Sequence, residues 1–365
     1  METWQHFLGV RTREVSTVWL FFLHNFLLGI GTVLVYVVAN VLLLEHQPES
    51  SLPLAYGLSA LATIALGKVY AHFEHSWPLK TLATRALLVV VGFTGMLALL
   101  ITAGHAVVAA VALLVGYRLI YLLTNLEFWG LSAVVFDVRQ GRRLFSVISS
   151  GDMPAKALGA VLAIFVHARA DLFFLLFVAF GAYVAALYTQ YLTFRSHVVE
   201  ARPAPARVRP TVSSPWLRRL LGSNPLVLYM GLSMLAVAAV ATGVEYFFFV
   251  NVKQKLQDQT TILQYVGGVL ALAYLLAMLG KLLLTRHGLD HLGLPRTLLL
   301  LPLLALAGVA LFGGLLLLGL GRLASWYTSA GCIWGWRCCA GPSSTPCFWC
   351  YFNPFLRPSA YVATP

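Results

Sequence analysis

Nine apolar stretches of roughly 20 to 30 residues follow one another along the chain, at 15–44, 52–70, 86–104, 106–135, 144–166, 172–194, 225–250, 260–284 and 296–320. As a helix, each is about long enough to cross a hydrocarbon core of about 30 Å. The stretches are not alike. Every third one (86–104, 172–194, 296–320) is almost free of polar side chains, whereas those between carry charges, amides and tyrosines at helical spacing. A clean helix can face lipid on most sides, while a helix carrying ions or amides must turn them toward a partner or a cavity. The pattern therefore predicts an all-α polytopic membrane protein. The third, sixth and ninth helices should be peripheral. The first, fourth and seventh, with His24, Asn25, Arg118, Asn125, Glu127 and Glu245, should be central.

Residues 198–215, VVEARPAPARVRPTVSSP, are rich in Pro and Arg and poor in apolar residues, the composition of a linker. An amphipathic WLRRLL at 216–221 follows and suits a membrane surface. A three-helix repeat, a linker after six helices, and central first members resemble the major facilitator superfamily. On that resemblance, residues 1–197 form a six-helix bundle, 198–221 the linker, and 222–320 the first three helices of a second bundle. The tail, 321–365, departs in composition: it holds all five cysteines and four of the nine tryptophans. No His follows His291 and the Cys spacing matches no four-ligand pattern, so a metal site is disfavoured; an outer-face disulfide remains an alternative. Cys, Trp, Phe and Tyr codons share a leading T, so a membrane helix read in a slipped frame acquires this composition. We expect a frame-shifted tail and a truncated second bundle.

Charge sharpens the topology. The net charge is +12, and with a cytoplasmic N-terminus the cytoplasmic segments collect 17 of the 25 Lys and Arg, from Arg11, Arg13, Lys68, Lys80 and Arg85 through the linker to Arg296. The opposite side holds three, Arg169, Lys253 and Lys255. This asymmetry orients the chain by the positive-inside rule and removes the need for a nucleic-acid partner. The first stretch is too long for a signal peptide and lacks a small-residue cleavage site, so it is expected to stay.

Candidate chemistry lies on the polar helices. Asn25, Gly29, Thr32, Tyr36 and Asn40 recur at steps of three and four and share one helix face, which suits either a solute pathway or close helix packing. His24 sits one position round, as a hydrogen-bonded residue rather than a proton relay. Arg118, Tyr121, Asn125 and Trp129 share a face of the fourth helix. An Arg in hydrocarbon needs a partner or an anionic ligand, and its planar fork suits carboxylate or phosphate. These residues are the leading substrate site, with a structural pairing of Arg118 to Glu127 or to an acid of another helix as the alternative. Glu127 is expected to be partly solvated. In SSGDMPAKALGA, Asp152 and Lys156 stand one turn apart, and Pro154 is expected to interrupt the helix, giving either a gate or a self-neutralised pair. Glu245, with Tyr246, is a coupling carboxylate or an interfacial anchor.

The segments VRTREVSTVWLFFLHNF and EFWGLSAVVFDVRQGRRLFSVISSGDMPAKALGAVLA are similar to the ATP/ADP-antiporter branch of the facilitator superfamily, over about residues 8–320. The resemblance implies nucleotide exchange across a membrane, here a bacterial inner membrane, with no cofactor. Nucleotide exchangers of that branch carry a Lys-Asp pair in helix 1; this helix 1 has neither residue. The loop FDVRQGRR at 136–143 resembles facilitator Asp-Arg-Gly-Arg-Arg loops, though those join helices 2 and 3. The expected function is secondary transport of an anionic small solute, nucleotides included. Some relatives carry soluble repeat or nucleotide-sensing domains, so a non-transporting scaffold or sensor is the alternative. An enzyme is not expected: no Ser-His-Asp set, metal-spaced His cluster or phosphate-cradling glycine loop is present.

Overall fold

The computed structural model describes Arg11, 14–45, 48–102, 106–136, Gln140, Leu144, 147–167, 171–196, scattered residues between 232 and 256, and 260–279. The linker, WLRRLL, the stretch at 296–320, the tail and most of the 136–143 loop lie outside the described residues. Described elements are helices: α1 (Val15–Glu45), α2 (Pro48–Glu74), α3 (Leu79–Thr102), α4 (Ala106–Val135), α5 (Asp152–His167) and α6 (Leu172–Ser196), then α7 (Ala241–Val250) and α8 (Thr260–Leu279). Among the described residues seven apolar helical stretches are long enough to cross a membrane, the fifth of them counted as Val147–Val166. The chain is thus an all-α integral membrane protein.

Successive helices reverse direction. Phe21, near the start of α1, meets Phe136, just past the end of α4, with ring centroids 5.0 Å apart. Farther along, Tyr36 meets Tyr117 at 4.8 Å. The starts of α1, α3 and α5 therefore share one end of the bundle with the ends of α2, α4 and α6; we call it the basic end, after Lys80, Arg85 and Arg195.

Helix α1 is the axis. Its most apolar window is 89% buried, against 17% for α2, and residues Val33 to Ala39 are enclosed on all sides. A helix apolar all round belongs in an interior. Between helices in a bilayer, association draws on close van der Waals contact and polar pairing rather than on transfer from water. Two glycines allow that contact. A Cβ on Gly31 would stand 2.6 Å from Tyr183 Cζ of α6, and one on Gly29 would stand 2.8 Å from Ala155 Cβ of α5.

The main interfaces pair α1 with α4, α5 and α6, α4 with α2 and α3, and α3 with α6. Exchanging α1, α2 and α3 for α4, α5 and α6 carries this set onto itself: α1–α6 becomes α4–α3, α1–α5 becomes α4–α2, and α1–α4 and α3–α6 are unchanged. Two three-helix units are thus packed in a twofold-like manner.

The central placement expected of the first and fourth stretches agrees with the contacts of α1 and α4, each packed on three other helices. Helix α2, not α3 or α6, is the most exposed. Helix α6 was expected to face lipid on most sides, yet Ala179, Tyr183, Ala186, Thr189, Gln190 and Thr193 form a buried stripe against its neighbours. Small and polar residues at helical spacing give it a packing face, while Phe177, Val184, Tyr188 and Tyr191 point outward. Pro154 interrupts the helix as expected, but one turn before itself. It lies in the first turn of α5, where a missing N–H costs little. The break falls at Ser150–Gly151, between the helical residues 147–149 and Asp152, because Pro154 offers no donor to the Ser150 carbonyl one turn back.

Candidate functional site

A cavity of about 180 Å³ lies between α1, α4 and the start of α5. From α1 it receives Asn25, Gly29 and Thr32; from α4, Tyr121, Asn125 and Trp129; and from the broken segment, Ser149, Asp152 and Lys156. The amides are held by backbone carbonyls: Asn25 Nδ2 donates to Ile148 O at 3.2 Å and Asn125 Nδ2 to Tyr121 O at 2.8 Å. The break at Ser150–Gly151 sets Asp152 at the helix start, facing Gly29.

Lys156 is the cation of this cavity. Its ammonium donates to Asp152 Oδ2 at 2.9 Å and lies 5.2 Å from the Tyr121 ring centroid and 5.8 Å from that of Tyr274 on α8. Two aromatic faces and one carboxylate thus compensate a nearly buried charge. An incoming carboxylate or phosphate would compete with Asp152 for that ammonium.

Arg118 does not line the cavity. It reaches past it, away from the basic end, and Nη2 donates to Glu245 Oε2 at 2.9 Å. Glu245 Oε1 accepts from Tyr36 Oη at 2.8 Å. The guanidinium also lies 5.5 Å from the Tyr117 ring and 5.9 Å from the Tyr56 ring. This cluster ties α1 and α4 to α7, joining the first six helices to the segment that follows the linker.

A third group is wholly buried. Glu127 accepts from Gln190 Nε2 at Oε1 and stands 3.0 Å from His24 Nε2 at Oε2. His24 Nδ1 lies 3.1 Å from Ala186 O and 3.0 Å from Thr189 Oγ1, whose own hydroxyl donates to Ala186 O. A carbonyl only accepts, so Nδ1 carries a proton. Nε2 then faces the Glu127 carboxyl, and one hydrogen bond joins the two.

No family model, characterised protein or solved structure matches the chain.

The predicted site residues therefore divide. Asn25, Tyr121 and Asn125 meet in one cavity with Asp152 and Lys156, whereas Arg118, Tyr36 and Glu245 form a bridge beyond it. One expectation is corrected: Glu127 is 1% exposed, not partly solvated. Arg118 takes the pairing left open to it with an acid of another helix, here Glu245. The reason is geometric: on α4, Glu127 points to α1 and α6, while Arg118 points toward α7. Asn40 is buried and donates to Tyr36 O, so it belongs to helix packing rather than to the cavity. Sequence reading missed Gln190, Thr189 and Tyr274. The polar trio Thr189, Gln190 and Thr193 inside an otherwise clean helix was the available signal for the first two.

Proposed function

We propose that the chain is a secondary transporter of the major-facilitator type, moving an anionic small solute, nucleotides included, by alternating access. The supporting observation is the pairing of two features at different depths. A polar cavity with one ammonium lies toward the basic end, and the Arg118–Glu245–Tyr36 bridge lies beyond it. A cavity closed on one side by a breakable bridge between two helix bundles is what alternating access requires. The exchange symmetry of α1–α3 with α4–α6 supports the same reading, since facilitators are built from three-helix repeats. If the basic end is cytoplasmic, as the charge asymmetry implies, the described state faces inward.

Lys156 receives the anionic group, Asn25 and Asn125 supply oriented amides, and Tyr121 and Trp129 present aromatic surface to a planar moiety. Arg118 holds the far side shut. The test is uptake of radiolabelled nucleotides, dicarboxylates and phosphate into liposomes containing the full chain, empty or preloaded with unlabelled solute. Wild-type flux that falls at least tenfold in Lys156→Ala, with folded yield retained, is the expected result. Absence of flux and of saturable anion binding for every solute refutes the reading and favours a scaffold or sensor.

A further inference from the structure

A second, larger cavity of about 730 Å³ lies on the outside of the bundle, between α3 and α6 at the basic end. We infer that this groove binds one anionic phospholipid, headgroup toward Lys80 and Arg195 and acyl chain along Leu88 and Val184.

The argument is a gradient of polarity that runs in parallel on both walls. Along α3 the lining residues are Lys80, Thr84 and Leu88, at steps of four on one helix face. They descend from charge through hydroxyl to hydrocarbon over about 12 Å. Along α6 the order from the same end is Arg195, Tyr191, Tyr188 and Val184, at steps of four, three and four, over about 16 Å. A phospholipid has this sequence of chemistry along its length: phosphate, ester-linked glycerol, alkyl chain. The tyrosines stand where the glycerol and ester oxygens would, each more than half exposed at 63% and 59%. Aromatic hydroxyls at that depth are favoured at membrane interfaces.

The charges are available. Among the described residues neither Lys80 nor Arg195 has a carboxylate partner, and Lys80 Nζ lies 5.6 Å from the Phe194 ring centroid. Arg85, one turn on, is different: its guanidinium stacks on Trp77 at 4.0 Å and it does not line the groove. Two cations with no carboxylate partner among the described residues, over an apolar slot, complement a lipid phosphate, and basic pockets between transmembrane helices are where such headgroups settle. The inference does not depend on the transport reading.

The test is native mass spectrometry of the delipidated full chain, titrated separately with phosphatidylglycerol and phosphatidylcholine of the same acyl chains, with glycerol 3-phosphate as competitor. One tight phosphatidylglycerol is expected, preferred over phosphatidylcholine by about fivefold for each cation engaged. Lys80→Gln/Arg195→Gln should abolish the preference, and Arg85→Gln should leave it intact. Val184→Trp, which fills the deep end without touching a charge, should lower occupancy of both lipids. Equal affinity for the two lipids, a preference that survives the double substitution, or full displacement by glycerol 3-phosphate would each overturn the inference. The first two would leave only non-selective annular lipid and the third a soluble-phosphate site. All three substituted cations are exposed, so folded yield by size-exclusion chromatography separates loss of binding from loss of fold.

Discussion

The Glu127 cluster makes a prediction that separates shape from charge. Glu127→Ala removes the acceptor of the Gln190 amide and the partner of His24 Nε2, leaving two polar groups stranded among buried residues of α1 and α6. Breaking a buried, hydrogen-bonded pair costs about 3–5 kcal/mol. At roughly 2–4 °C per kcal/mol, the melting temperature should fall by about 6–20 °C. Glu127→Gln behaves differently because His24 is already a donor at Nδ1. A glutamine can turn its Nε2 to His24 Nε2, which then accepts, and its Oε1 to the Gln190 amide. Both bonds survive, so the expected loss is under about 1 kcal/mol. The assay is the fraction of full chain that remains monodisperse by fluorescence-detected size-exclusion chromatography after heating in detergent. If Glu127→Gln falls as far as Glu127→Ala, hydrogen bonding alone does not account for the cluster and the carboxyl group itself is required there.

Further outcomes follow from other contacts. Arg118→Ala and Glu245→Ala should each lower thermal stability, and the double variant should recover about 1 kcal/mol relative to their sum; the pair is partly exposed, which limits the coupling. Additivity in that double-mutant cycle would remove the bridge. Gly31→Ala, which drives a methyl against the Tyr183 ring, should cost about 1–3 kcal/mol. Gly57→Ala, with nothing within 4 Å of the added carbon, should be neutral or gain up to about 1 kcal/mol as a better helix residue. The reverse order in a melting comparison would contradict the packing of α1 on α6.

Much of this architecture is legible in one dimension, because a membrane span announces itself by length and apolarity. The stretch expected at 15–44 is α1, Val15–Glu45, and that at 106–135 is α4, Ala106–Val135. Helical spacing likewise placed Tyr121, Asn125 and Trp129 on one face, which the cavity uses. Spacing carries no information about which helix stands opposite. Arg118 and Glu245 are 127 positions apart, and no period links them, so the sequence could ask for an acid on another helix without saying which. Gln190 escaped notice because it sits in a helix whose average is apolar, while its role depends on one buried stripe.

The enclosure of α1 bears on how the protein is made. His24 finds its oxygen partners 162 and 165 residues later in the chain. At about 5–20 residues synthesised per second, the ribosome needs roughly ten to thirty seconds to supply them. Until then the imidazole can meet only Glu127, 103 residues downstream, and the Tyr36 hydroxyl waits longer still, for Glu245. The first helix must be kept by the insertion machinery or a membrane chaperone, or shed into lipid at a penalty. Ribosome-stalled chains ending before about residue 190 should therefore crosslink α1 to the insertion channel, and longer ones should release it.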